Sequence, residues 1–431
     1  MLPDVDLYTS VDFAFTNLLQ NIEIHLKKEF VYVFNCKGRV LVEDVISDLN
    51  VPKYHSSHMD GYAIRSHDTI NASSSRPISL KISTNASILG KYTTNDLEPK
   101  EAFRIQTGGY LPNKSDAIVP IEEVKQINES TINIFFPIKK GNFVYQAGSE
   151  IKRGQKIFSK GKILGAQDMA FLANLRIDKV PVYKKPIVAI IPTGTELTNI
   201  VVKENKNNDI PGIVNTNGPL ISSIIDDIGG ISVNYEITPD NKDILKDKLK
   251  TSLDKSDIVI TIGGSSVGNQ DIVATTINSI GSPGVIEHGI KLDRGRVSGL
   301  AVIDKKPIII LPGPIQGALN AFIVFARPLI RILLGLQQKS SLSIFATLTD
   351  NWKARKKFQN FKKILYVKLS RYNDHFIATP FIGETQSISL LSKCNGYVEV
   401  SENVTQINAG EQIEVNLLPG FSYTKDNLIS N

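Results

Sequence analysis

The stretch Asp257-Ile258-Val259-Ile260-Thr261-Ile262-Gly263-Gly264-Ser265-Ser266-Val267-Gly268 runs from a β-branched, mostly apolar strand straight into a turn of glycines and hydroxyls. Two further runs do the same: Ile187–Ile191 leads into Pro192-Thr193-Gly194-Thr195-Glu196, and Pro307–Leu311 leads into Pro312-Gly313-Pro314. A short, continuous apolar run reads as a strand buried on both faces. In an open α/β sheet, ligands bind in the crevice beyond the carboxyl ends of the strands. Three glycine turns at three such ends predict one pocket rim. Glycine lets a backbone approach a phosphate closely, and helix N-termini offer free N–H donors. The pattern is that of an anion-binding enzyme site.

Around these runs, strand and helix alternate. Strands over 186–191, 231–237, 257–262 and 307–311 are separated by predicted helices over 219–228, 240–253 and 271–280, and 315–336 follows the last strand. This succession predicts a doubly wound parallel α/β domain over 183–337. Asp240 and Asp271 each stand where they would cap a helix, and Pro328 is expected to kink the last one. Residues 74–140 instead alternate over short runs, such as Ile78–Ile82 and Thr131–Phe135, and predict a small β-rich domain inserted over 53–147. Residues 9–30 have the spacing of an amphipathic helix with Thr9 or Ser10 as its cap, and residues 148–182 have turn-and-helix character. The segments 1–52 and 148–182 read together as a discontinuous linker domain. Five short strands after Gln337 predict a C-terminal β domain, barrel or sandwich, over 338–431.

Whole-chain properties bound the function. At 431 residues several domains are expected, and 42% hydrophobic with 21% charged residues is globular composition. The formal net charge of +6 suits small anionic ligands, and no basic block interleaved with aromatics suggests a nucleic-acid groove. Two distant cysteines, Cys36 and Cys394, argue against structural zinc and a disulfide framework. The N-terminus lacks signal-peptide character, and no apolar run approaches the ~20 residues of a membrane span. A cytoplasmic protein with neither membrane nor nucleic acid as partner is expected.

Further elements join the glycine turns: His58-Met59-Asp60-Gly61-Tyr62-Ala63, Arg104-Ile105-Gln106-Thr107-Gly108-Gly109 and Gly148-Ser149-Glu150-Ile151. In this order and spacing the set resembles the molybdopterin molybdenumtransferase family, the MoeA proteins and the E domain of gephyrin. The resemblance implies a MogA-like central domain, a C-terminal β-barrel and an elongated homodimer. Each active site of such a dimer lies between one subunit's α/β domain and the other's N-terminal part. It further implies transfer of molybdate, or tungstate, onto the dithiolene of adenylylated molybdopterin, with release of AMP, and contacts with other cofactor-synthesis proteins.

The residues divide by chemistry. Asp60, Glu196, Asp271 and Glu150, which stands in a slot the family fills with Asp, are the carboxylates that could hold Mg²⁺. Asp60, Thr107, Asp240 and Asp271 are the candidate catalytic residues. Thr193, Gly194, Gly263, Gly264, Ser265, Ser266, Gly268, Pro312 and Gly313 form the candidate cradle for the cofactor and its phosphate, with Arg294 and Arg296 as cations. Each has a bland alternative: Asp60 as an Asx-turn acceptor, Thr107 in an ordinary turn, Glu196 in a helix first turn, Asp240 and Asp271 as caps.

Three slots depart from the family. The loop that usually carries two lysines reads Leu292-Asp293-Arg294-Gly295-Arg296-Val297, Ile262 replaces a serine, and Pro314-Ile315 replaces Asn-Pro. Asp293 would repel an anion unless a metal or Arg294 compensates. These departures support an alternative, a paralogue that binds molybdopterin or its adenylate without inserting metal; a gephyrin-like scaffold is a second alternative.

Overall fold

The computed structural model describes residues 8–86, 88–92, 94–199, 212–264, 271–337, 343–381 and 388–418. The chain folds as two compact units, one built from residues 1–29, 38–40 and 182–431, the other from 30–37 and 41–181.

The larger unit holds a six-stranded sheet in the order Ile231–Asn234, Ile187–Pro192, Ile258–Ile262, Lys306–Leu311, Gly299–Ile303, Pro283–His288. The first four strands are parallel, as the sequence predicts. The last two are antiparallel, so the sheet is mixed rather than wholly parallel. These two strands are absent from the sequence reading. Pro283-Gly284 opens the edge strand like a turn, and Gly299 opens the other, which masks the extended pattern. On one face Ala189, Ile191, Val259, Ile308 and Ile310 pack with Leu245, Leu249, Val273 and Ile277 of the covering helices.

The helices lie close to their predicted spans, at Asn217–Asp227, Lys242–Lys255 and Ile272–Asn278. Asp271 caps the third, accepting the Ala274 N–H at 2.8 Å. Asp240 does not cap the second: Asn241 does, accepting from the Asp243 and Ile244 N–H groups. The stretch after Pro314 is helical from Ile315 to Leu333, with a π-helical turn at Phe322–Ala326 just before Pro328. Proline has no N–H to give the ladder, and a wider turn ahead of it absorbs the mismatch. Contrary to the sequence expectation, Ile315–Leu333 is long and apolar enough to cross a membrane, but 83% of it is buried inside the unit. It is a core helix.

The N-terminal helix is shorter than expected, Val11–Asn21, with Ser10 as its cap. Ile24 and Leu26 are exposed, so no core rewards continuing the helical spacing, and the chain is extended by Lys28–Tyr32. The C-terminal strands close into a five-stranded barrel in the order Ser343–Leu348, His375–Pro380, Lys363–Tyr372, Gly396–Val400, Gln412–Leu417. Leu365, Val367, Leu369, Val398 and Val415 fill it.

The smaller unit centres on a second six-stranded sheet, ordered Ala117–Pro120, Gly61–Ile64, Glu101–Ile105, Ile78–Ala86, Thr131–Ile134, Lys125–Asn128. Tyr62, Leu80, Val119 and Ile132 pack one face, and Phe103, Ile105 and Ile118 pack the other. This unit also holds the short strand Lys156–Phe158 and the helix Ala166–Asn174.

Candidate functional site

The three glycine turns share one edge. Pro192, Ile262 and Leu311 are register partners across adjacent parallel strands. The Thr193 N–H donates to Ile262 O at 2.8 Å, and the Gly263 N–H donates to Leu311 O at 3.0 Å. Gly263 has φ +86°, and a Cβ there would lie 2.5 Å from Thr193 O, so only glycine fits this approach. Beyond the edge lies a cleft of about 530 Å³ bordered by Thr193, Glu196, Asn217, Gly263 and Gly313. Ile262, Pro314, Ile315 and Leu197 give it apolar surface. Thr193 is buried and turns its hydroxyl toward Ile191 O at 3.4 Å. Gly264 continues the turn with φ +65°, and Ser265, Ser266 and Gly268 lie outside the described residues.

The carboxylates take separate roles. Glu196 is exposed at the cleft, its carboxylate folded against Gly194, where a Cβ would come 2.6 Å from Oε1. Asp240 reaches across to the same turn, accepting from the Thr195 N–H at 3.3 Å and hydroxyl at 3.4 Å. Asp271 is 3% exposed, with Oδ2 lying 3.2 Å from His288 Nε2 beside its cap bond.

Asn217 is a cleft residue that the sequence reading missed. Its Nδ2 donates to Gly313 O at 2.6 Å, while its buried Oδ1 has no hydrogen-bond partner among the described residues. A buried acceptor left unpaired costs roughly 1–3 kcal/mol, which a ligand N–H would recover. The available signal was the polar run Asn215-Thr216-Asn217 directly ahead of a helix at the rim, but such a run also reads as plain loop.

The altered loop 292–297 lies against the helix that starts at Ile315. Arg294, with φ +54°, donates through Nη1 to Gln316 Oε1 at 2.5 Å, and Asn320 Nδ2 donates to Asp293 O at 3.1 Å. The Arg296 guanidinium lies over the Phe358 ring at 5.5 Å. Pro312 lies beside Gly317, whose added Cβ would meet both Pro312 Cγ and Arg294 O. The Asp293 carboxylate is paired with the Arg355 guanidinium, which compensates its charge.

In the smaller unit, Asp60 and Thr107 meet. The Thr107 N–H donates to Asp60 Oδ1 at 2.6 Å and its hydroxyl at 2.8 Å, which holds the exposed Asp60 carboxyl below the usual carboxylate range. Glu150 lies on a separate cleft of about 770 Å³ with Gly108, Lys53, Arg176 and Tyr110. Thr107→Ala should raise the Asp60 pKa only partly, because the backbone N–H is the larger cause. Carboxyl ¹³C NMR checks this. The linkage sign follows from the depressed value: this pair's contribution to stability is full above the ordinary Asp range and is lost as pH falls through the folded pKa. No rise of the Asp60 pKa in Thr107→Ala would contradict the assignment.

Comparison with known proteins fits this geometry. Residues 9–175 match the MoeA N-terminal region (domain I and II), 189–332 a probable molybdopterin binding domain, and 346–418 the MoeA C-terminal region (domain IV). The chain is 30% identical over 326 residues to a molybdopterin molybdenumtransferase of Staphylococcus aureus, covering 75% of this chain and 76% of that protein. The chain belongs to the MoeA family. A Staphylococcus epidermidis protein of the same name is 26% identical over 410 residues, covering 95% of this chain and 94% of its own length. The crystal structure of a molybdopterin biosynthesis MoeA protein from Pyrococcus horikosii superposes with a TM-score of 0.81 at 29% identity, covering 96% of this chain and all of that one.

Among the described residues, no group of three or more His, Cys, Asp and Glu side chains could hold a metal ion. Mg²⁺, however, is commonly held by one or two carboxylates, with substrate phosphates and water completing its octahedron. Glu196 offers one such carboxylate at the cleft, so the donor set fits Mg²⁺ brought in with phosphate. Asp271 is engaged with its cap and His288 in the same unit, and Asp60 and Glu150 belong to the smaller unit.

Proposed function

We propose that this chain inserts molybdate or tungstate into adenylylated molybdopterin and releases AMP, as a Mg²⁺-dependent, cytoplasmic homodimer. The observation that carries this reading is the unpaired Asn217 Oδ1 in a cleft with an apolar wall and a glycine rim. A flat pterin ring presents N–H groups in its plane and apolar faces above and below. The ring lies against Ile262 and Ile315 and donates to Asn217, while the turns at Gly194, Gly263 and Gly313 admit the phosphate end. Mg²⁺, held by Glu196, supplies charge neutralisation at phosphate. Asp240 fixes the Thr195 turn that carries Glu196, and Arg294 and Arg296 attract the oxyanion. Asp60 and Thr107 complete the site from the other subunit of the dimer.

Asn217→Ala is expected to weaken equilibrium binding of adenylylated molybdopterin by about 10-fold or more, as loss of a buried acceptor does. Quenching of pterin fluorescence measures it, and unchanged affinity would place the ring elsewhere. A second reading, a protein that binds the cofactor without inserting metal, draws on Ile262 and Ile315: both line the cleft where the family carries polar or proline residues.

A further inference from the structure

We propose that Arg355 is a positioning residue for the anion-binding loop: it neutralises Asp293 and fixes the loop so that Arg296 is presented to an oxyanion. The inference rests on the reading above, in which Arg294 and Arg296 attract that anion. Asp293 stands in a slot where the resemblance to the family implies a lysine, and its side chain is only 13% exposed. An unpaired carboxylate so placed would oppose anion binding at close range, where screening by salt is weakest.

The structure shows how the charge is cancelled. Arg355 meets the carboxylate side-on, with Nη2 paired to Oδ1 and Nε 3.3 Å from Oδ2. Its guanidinium lies 4.6 Å from the centre of the Phe358 ring, the same ring that Arg296 approaches at 5.5 Å. One aromatic ring therefore holds two guanidiniums. Arg355 is committed to Asp293, whereas the buried Nε of Arg296 has no hydrogen-bond partner among the described residues.

The backbone ties the two segments together. The Asp293 N–H donates to Lys362 O, and the Lys362 N–H donates to Lys291 O, each at 2.8 Å. The Asn320 amide holds the other side of the loop through Asp293 O and Arg294 O. Arg355 thus sits on a segment already stitched to the loop, which makes its charge a fixed part of the site. Lysine would keep the charge but lose the side-on pair and most of the ring contact.

The test is a mutant cycle on the full-length protein, with tungstate binding followed by calorimetry at low and high salt. Arg355→Ala should weaken tungstate binding about 10-fold at low salt, and Arg355→Lys should weaken it less. Asp293→Asn combined with Arg355→Ala should restore most of the loss, because the defect is an uncompensated carboxylate. A merely structural tie predicts the opposite, since the double variant lacks both halves of it. Unchanged affinity in Arg355→Ala, no rescue in the double variant, or no tungstate binding by the natural chain would each overturn the inference. AMP release is measured separately. If the natural chain releases no AMP but the cycle behaves as described, the proposed function falls and the role of Arg355 stands.

Discussion

Gly263→Ala is expected to destabilise the α/β unit by roughly 3 kcal/mol, lowering the unfolding midpoint by about 10 °C. Two costs combine. The backbone at φ +86° lies in the left-handed region, where a side chain costs about 1–2 kcal/mol. The added Cβ would also lie 2.5 Å from Thr193 O, a backbone atom held in place by the sheet. Thr193 cannot retreat without breaking its bond to Ile262 O. Gly313→Ala is the matched control. Its Cβ meets nothing closer than Gly263 Cα at 4.0 Å, so its midpoint should shift by no more than about 2 °C. Thermal unfolding followed by circular dichroism checks both, and equal midpoints would show that the Gly263 turn is not built as described.

Glu196→Gln is expected to lower Mg²⁺-dependent AMP release by about 100-fold or more while leaving the fold intact. The side chain is exposed and makes no hydrogen bond among the described residues, so the amide replaces it without structural cost. What it removes is the charge that would hold Mg²⁺ against phosphate. Raising Mg²⁺ should recover part of the rate, because the lost ligand weakens metal binding first. Near-normal turnover at low Mg²⁺ would return Glu196 to the role of an ordinary turn residue.

The single rim was legible because the strands that form it are short apolar runs ending in glycine, a local signal. The Asp60 and Thr107 motifs were legible singly, and their contact across 47 residues was not. The antiparallel strands at Pro283–His288 and Gly299–Ile303 were hidden because their extended backbone is set by pairing with the neighbouring strands, which no local pattern announces. A shift of one residue moved the helix cap from Asp240 to Asn241, and with it freed Asp240 to join the Thr195 turn. Asp293 illustrates the limit most clearly. From sequence it is a misplaced charge; its counter-ion lies 62 residues later on a segment aligned by backbone hydrogen bonds. Pairings of that kind follow from tertiary packing and leave no trace in spacing or composition.

The most direct test of the account is AMP release by the purified full-length chain, given adenylylated molybdopterin, Mg²⁺ and either molybdate or tungstate. The account predicts that AMP appears only when both Mg²⁺ and an oxyanion are present, together with a metal-loaded cofactor that activates an apo-enzyme. Tight binding of the adenylate with no AMP under any of these conditions would contradict it, and would leave the chain a carrier of the cofactor.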